Sequence, residues 1–361
     1  MVKKNLTSLE LAAMTNELQF LVRGKISQIY HQDKKELLFQ IHVPGEGKVF
    51  LKVTPGKFIY ITEKKNAPLK PSGFCMQLRK YLDGAFIKKI EQRGSERVLV
   101  VELEKKEKYS LVLEMFSKGN LILMDEKGKI ITVLEWQIWK DRTVKPGEKY
   151  IFPEEGVDWR NLDLKGLGKV IRGSGKKSLA IALAMDVRLG GVYAEEVCKV
   201  LGLDKEIPPK DVSDDQLELV FDTIKQFLKK IEKPMGCVYE EEIAPFLLMG
   251  RELKEERQSY SGALDTLKPA EVVSPQEKKI QWMKGIIKKQ EETMDGFKVK
   301  IEENAEKGEW IYNHYSQLQK LLELIEEMKK EKSWEEIKKE LKKEKKIKQI
   351  NLKEKKVVLV T

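Results

Sequence analysis

The sequence predicts an α+β fold, then a small all-helical unit, then a long coiled-coil helix. Three patterns carry that reading. Short runs of alternating apolar residues fill the stretch up to residue 136, glycine-punctuated helical periods occupy 163–233, and a heptad seam runs from 280 to 325. The corresponding boundaries are 1–162 for the sheet domain, 163–233 for the helical unit, 234–274 for a connector, 275–330 for the coiled-coil helix and 331–361 for its tip.

Thr7-Ser8-Leu9-Glu10 has the form of a capping box, in which the Thr7 hydroxyl and the Glu10 carboxylate each satisfy an orphan amide of the first turn. Leu11, Met14, Leu18 and Leu21 follow at helical spacing, giving one apolar face, and Gly24 is placed to stop the helix. From Lys25 the period changes to two. KISQIYHQ, ELLFQIHV, KVFLKVT and KFIYIT alternate as strands, separated by Asp33-Lys34-Lys35, Pro44-Gly45-Glu46-Gly47 and Pro55-Gly56 as turns. A short helix in FCMQLRKYLDG interrupts this antiparallel meander. AFIKKIEQRG, RVLVVELE, YSLVLEMF, GNLILMDE and KIITVLEW then resume it. Such a sheet buries one face and wets the other, so its lysines read as a solvated face.

RTVKPGEKYIFP, at 142–153, reads as an exposed connector. The helical unit that follows has two turns of the form helix, glycines, helix, at Gly173-Ser174-Gly175 and Gly190-Gly191. Helix N-termini that open after glycines present free amides able to hold a phosphate oxygen, with Lys176, Lys177 and Arg188 beside them. The same glycines also suit plain caps that end one helix and start the next. GSGKKS is not a phosphate-binding P-loop, because Val170 stands where the first glycine is required.

On the heptad seam, Gln290, Asn304 and Gly308 are positions that set register or partner rather than stability. A seam needs a second helix, and no equally long heptad run occurs elsewhere. The expected partner is a second copy of the chain or a helix beyond this sequence. Residues 328–356 hold 13 Lys against 6 Glu, an excess of +7 in a chain whose net charge is +10. The positive charge therefore concentrates at the tip, around Lys338, Lys339, Lys342, Lys343, Lys345 and Lys346, and suits a phosphate-rich partner. The tract lacks the wide apolar face of a membrane-surface helix, so no membrane partner is expected.

Composition narrows the function classes. No run of about 18 apolar residues exists and the first residues lack a signal-peptide stretch, which reads as a soluble cytoplasmic protein. Cys75, Cys198 and Cys237 stand far apart with no CxxC pair, and His31, His42 and His314 are scattered. Neither a disulfide framework nor a metal is expected, and no cofactor.

The segments TSLELAAMTNELQFLVRGKISQIY, LRKYLDGAFI, RGSERVLVVE, GNLILMDEKGKI, TVKPGEKYIFP, LGGVYAEEV, SGALDTL and SWEEI, in this order, resemble the NFACT family, called NEMF in eukaryotes and RqcH in bacteria. The resemblance spans nearly the whole chain. It implies an N-terminal domain similar to formamidopyrimidine-DNA glycosylase, a helix-hairpin-helix unit, and a coiled coil with an elaborated tip. It also implies binding to a large ribosomal subunit that holds stalled peptidyl-tRNA, and tRNA recruitment for C-terminal tailing with alanine. Glu96-Arg97 matches the family's acidic-Arg dipeptide, which implies a tRNA contact there. Glu10 matches a second acidic position, although the capping box accounts for it without any function. Arg79 and Lys80 of LRKYLDGAFI are assigned to the same surface. Relatives continue with a returning helix and a C-terminal domain, so the chain reads as a piece that stops within the tip.

Two other classes compete. A glycosylase needs an N-terminal proline amine beside a glutamate, whereas the chain begins Met1-Val2-Lys3-Lys4 and has no Cys-rich tail. With histidine so scarce no nucleophile–base pair can be assembled either, and a non-enzymatic adaptor is expected. An adhesin is suggested by the fibronectin-binding label some relatives have carried, against which the cysteine usage and the first residues argue.

Overall fold

In the computed structural model the described residues are 3–33, 35–65, 71–139, 142–267, 275–331, 334, 336–337, 347–351 and 356–359. They fall into two units, Met1–Pro269 and Ala270–Thr361.

The first unit opens with helix α1 (Ser8–Glu17), whose capping box forms as the sequence dictates: Glu10 N donates to Thr7 Oγ1, and Thr7 N donates to the Glu10 carboxylate. The helix tightens into a 3₁₀ turn over Leu18–Leu21 and ends before Gly24. Four strands follow, β1 (Lys25–Asp33), β2 (Glu36–Val43), β3 (Gly47–Thr54) and β4 (Phe58–Ile61), then helix α2 (Gly73–Leu82). Five more complete the sheet: β5 (Phe86–Gln92), β6 (Val98–Glu104), β7 (Lys108–Glu114), β8 (Asn120–Asp125) and β9 (Ile130–Val133). The nine strands pair antiparallel in the order β4-β3-β2-β1-β5-β6-β7-β8-β9, so two meanders join through the β1–β5 pair.

From β6 to β9 both faces of the second meander are buried, which corrects the expectation of one wet face, whereas β5 keeps its outer face exposed. Leu99, Val101, Leu111 and Leu123 enter the main core with α1 and α2, while Val98, Val100, Val112 and Ile122 form a second layer on the opposite face. That layer is covered by Val144, Tyr150 and Phe152, from the stretch that reads as an exposed connector. Its strand β11 (Thr143–Val144) pairs with β10 (Gln137–Ile138), which precedes it. The stretch is also anchored by polar bonds: Tyr150 OH donates to Glu114 Oε1 at 2.8 Å, and Arg142 Nη1 pairs with the same oxygen at 2.8 Å. Burial, and the Glu114 carboxylate beside it, push the Tyr150 hydroxyl far above its ordinary value.

The helical part comprises α3 (Leu164–Arg172), α4 (Leu179–Met185), α5 (Gly191–Leu201) and α6 (Asp214–Glu232), which share a core of their own. Helix α1 feeds both cores. Leu11, Met14 and Leu18 face the sheet, and Leu9, Ala12 and Ala13 face the helices, although the spacing reads as a single apolar face. Residues 234–267, read as a connector, form a three-stranded sheet, β12 (Gly236–Val238), β13 (Ile243–Ala244) and β14 (Glu255–Arg257), and the short helix α7 (Tyr260–Leu264). The Glu17 carboxylate accepts the Tyr260 and Ser261 amides at 2.8 and 3.0 Å. These bonds seat Tyr260, Ala263 and Leu264 in the sheet core.

One close approach fixes the sheet's outline. Gly119 has φ 70°, and a β-carbon there would overlap the backbone of Pro55 and Gly56. Gly119→Ala therefore combines backbone strain with a clash that no side-chain rotation relieves, and costs about 2–3 kcal/mol. A urea titration checks this: the midpoint falls while the slope stays unchanged.

The second unit contains helices α8 (Pro275–Asn313) and α9 (Tyr315–Glu331) and an antiparallel hairpin of β15 (Ile347–Asn351) and β16 (Lys356–Leu359). The heptad period runs through residue 314, but the helix breaks there. The His314 ring stacks on Trp310 with centroids 4.4 Å apart, and its Nδ1 lies 2.8 Å from the Trp310 carbonyl, so a side chain joins the i→i−4 ladder. Ile287, Met294, Phe297 and Ile301 of the seam are exposed. The tip lysines Lys338, Lys339, Lys342, Lys343, Lys345 and Lys346 lie outside the described residues. Among the described residues no helix is long and apolar enough to cross a membrane.

Candidate nucleic-acid interface

Two helix starts and one hairpin turn meet at a cleft of about 480 Å³, lined by Thr7, Ser8, Ser95, Glu96, Arg97, Phe116, Pro153, Ala184, Arg188 and Gly190. Thr7 and Ser8 open α1. Gly190 is the N-cap of α5, at φ 85°, with no side chain capping the amides that follow. The two starts touch, because a β-carbon at Gly190 would come 2.9 Å from Thr7 Cγ2. The β5–β6 turn is tied to them by Ser8 Oγ, which donates to the Ser95 carbonyl and accepts from Trp159 Nε1 at 3.0 Å. Gln92 Nε2 bridges the Ser8 and Glu96 carbonyls at 3.0 and 2.9 Å. Glu96 and Arg97 are thereby presented on a rigid turn.

Adjacent in sequence, these two side chains have different partners. Glu96 Oε1 accepts from the Gly156 amide at 2.8 Å and forms an ion pair with Arg188 Nη1. Arg188 comes from the α4–α5 turn and has φ 70°, a conformation rare for a side chain of its size. Arg97 makes one long hydrogen bond, from Nη1 to the Leu6 carbonyl at 3.4 Å. Partial burial pulls the Arg97 guanidinium below its ordinary value, against the opposing pull of the Glu96 carboxylate. Arginine stays charged through such a shift, so the cleft wall carries a cation with donors to spare.

Glu10 lies beneath this wall, with no exposed surface. Its Oε2 accepts the Thr7 amide at 2.8 Å, and its Oε1 accepts from Lys3 Nζ and Tyr193 OH, each at 2.7 Å. Lys3 is itself buried and also pairs with Glu242. The capping box is therefore part of a larger charged cluster that joins α1, α5 and the β12–β13 turn. Burial and the two neighbouring carboxylates act in opposite senses on Lys3, and its ammonium ends above its usual range.

Of the residues singled out in the sequence, Glu96, Arg97, Arg188 and Gly190 line the cleft, and Glu10 supports it. The others stand elsewhere. Arg79 spends its guanidinium on the Ile29 carbonyl, with Nε at 2.8 Å, and lies 5.7 Å from the Tyr30 ring, while Lys80 is exposed. Gly173 and Gly175 do not open directly onto α4, whose N-cap is Ser178, and Lys176 and Lys177 flank that separate turn. Gly191 has open space where a β-carbon would stand. Thr7, Ser8, Phe116, Pro153, Gly156, Tyr193 and Lys3 belong to the site without having been singled out for it. Only the capping box and the LGGVYAEEV turn hinted at them.

The model of the NFACT N-terminal and middle domains matches residues 7–359. The chain belongs to the NFACT family. Among its NFACT relatives, the archaeal Rqc2 homolog aRqcH of Methanocaldococcus jannaschii is 30% identical, covering 94% of this chain and 54% of that protein. The Rqc2 homolog RqcH of Bacillus subtilis is 31% identical over 39% of this chain and 27% of its own length. The chain thus spans about half the length of the archaeal relative and a smaller share of the bacterial one. In fold it is similar to the N-terminal part of the fibronectin/fibrinogen-binding protein of Streptococcus suis, with TM-score 0.60 and 23% identity over 72% of this chain and 98% of that one.

Proposed function

We propose that this NFACT chain is the RNA-binding part of a ribosome quality control adaptor. It binds the large ribosomal subunit that carries stalled peptidyl-tRNA, and recruits tRNA to direct tailing of the nascent chain, with alanine. Peptide-bond formation belongs to the ribosome, and the chain's own residues bind and position. The observation that carries the reading is Arg97, a half-buried guanidinium with a single weak bond on the wall of a cleft built from two helix starts. Such a group can contact phosphate or the edge of a base, while Glu96 accepts from an exocyclic amine. The amides after Gly190 suit a phosphate oxygen, a contact that positions without reading sequence. The helix-hairpin-helix character of the α3–α6 unit, the coiled-coil seam along α8 and α9 and the glycosylase-like sheet domain belong to the same proposal. The coiled-coil partner in that proposal is a second copy of the chain or a returning helix, set against the single seam that runs along α8 and α9. The basic tip belongs to it too, and adds a salt-sensitive, sequence-independent share of ribosome affinity. The names of the archaeal and bacterial relatives support this role.

Binding of the purified protein to large ribosomal subunits, to fibronectin and to abasic-site DNA tests it. Submicromolar binding to the subunits alone is the expected result. Tighter binding to fibronectin or to the damaged DNA would overturn the proposal in favour of an adhesin or a repair protein.

A further inference from the structure

The cleft holds a second guanidinium that is occupied. Arg188 projects from the α4–α5 turn and its Nη1 is paired with Glu96, which sits on the β5–β6 turn and is also held by the Gly156 amide. Gly156 is exposed, and its missing side chain is what lets the pair form. A β-carbon there would occupy the same space as the Arg188 guanidinium, meeting its Cζ, Nη2 and Nε. Arg188 is about a third exposed, so the pair is solvent-reachable and worth little by itself. It is the kind of contact that a phosphate, with more acceptor oxygens, can displace.

We infer that Arg188 is a latched phosphate ligand: an RNA phosphodiester entering the cleft takes its guanidinium from Glu96 and is then held between Arg188 and Arg97. This rests on the reading that the cleft takes RNA, and adds how the site changes on binding. The exchange brings the lining to neutrality. Empty, Glu96 offsets Arg188 and the lining keeps the positive charge of Arg97. Filled, the phosphate offsets Arg188, and Glu96, still on the Gly156 amide, is free to accept a donor from a neighbouring base. Thr7, Ser8 and Gly190 contribute only neutral groups to the lining, so Glu96 is the carboxylate that lines the cleft alongside these two arginines.

The inference makes Gly156 a usable handle. Gly156→Ala should eject the Arg188 guanidinium from the latch while leaving Arg188, Glu96 and Arg97 in place. The measurement is binding of deacylated tRNA as a function of salt, on wild type, Gly156→Ala, Arg188→Gln and the double variant, with melting temperatures recorded for each. Removing the competing ion pair should tighten binding about two- to fivefold in Gly156→Ala. Arg188→Gln should weaken binding and lower the slope of log affinity against log salt by about 0.7, the share of one phosphate on a single strand. In the double variant the gain from alanine should vanish, since it acts only through Arg188. A gain that persists without Arg188, or an unchanged slope in Arg188→Gln, would overturn the exchange. Arg97→Ala measured alongside separates the two levels: equal binding by it and wild type sinks the cleft reading together with the exchange. Weakened binding by Arg97→Ala, without coupling between 156 and 188, sinks the exchange alone.

Discussion

Replacing Arg97 by alanine lowers tRNA affinity by about 1–3 kcal/mol, or roughly 5- to 150-fold, and leaves the melting temperature nearly unchanged. The two halves of that expectation come from the same geometry. The guanidinium gives the fold only a 3.4 Å bond to the Leu6 carbonyl, so its removal takes little from stability. Its partial desolvation has already been met in the folded state, which leaves its donors preorganised for a ligand. A structural arginine behaves in the opposite way: Arg79, bound to the Ile29 carbonyl at 2.8 Å, should cost stability when truncated. Titration of tRNA into the variant, with tail synthesis by the full-length protein as the second readout, decides the matter. Unchanged affinity and unchanged tailing would show that Arg97 is not a contact.

Lys3→Met carries the largest expected loss of stability, about 3–5 kcal/mol, because it strands the Glu10 and Glu242 carboxylates in a site that Lys3 shares at only 3% side-chain exposure. For a unit of this size that is a fall of roughly 6–20 °C in melting temperature, read by calorimetry. The pH dependence has a defined sign. The folded-state pKa of Lys3 is raised above its ordinary value of 10.5, so its contribution is fully present below about that pH and is lost as pH rises through the folded value. The gap between wild type and variant should therefore hold steady through neutral pH and close in alkali, as the Lys3 ammonium of the wild type loses its proton. A gap that persists after that proton is lost would place its origin in the packing of the side chain rather than in its charge. Glu10→Gln should lower stability as well. Glutamine can still accept the Thr7 amide, but it leaves the Lys3 ammonium with Glu242 alone. Lost tRNA binding in that variant has to be read against its melting temperature.

The strand meander and the first cap were legible because local chemistry decides them. A period of two between turn residues leaves no other way to bury ELLFQIHV and KVFLKVT, and Thr7 with Glu10 closes a box whatever lies beyond. The second buried face of the sheet was signalled too, in the nearly unbroken apolar runs VLVV and LILM, but its cover was not. Val144, Tyr150 and Phe152 are three apolar residues in a polar stretch, and only their seating on Val112 and Ile122 reveals what they do. The cleft was half legible for a similar reason. Glu96 and Arg97 stand out as a dipeptide, whereas the partner of Glu96 lies 92 residues away and no local pattern encodes that pairing. The reading of Arg79 failed to anticipate its tie to Ile29 because a bond to a distant backbone carbonyl leaves no mark in composition.

Helix α1 has Leu11 and Met14 in one core and Leu9 and Ala13 in the other, all fully buried. It behaves as a shared wall, and a wall cannot be removed from one room only. Cutting the chain after residue 162 would leave the fragment with α1 a bare apolar stripe, and would deprive the helices of the surface that completes them. Neither piece is then an independent folding unit, and heat should melt sheet and helices in one step rather than two. The NFACT cleft sits where those two cores adjoin, so whatever grips Thr7, Arg97 and Gly190 together also resists that melting, and a bound RNA would register as added thermal stability of both cores at once.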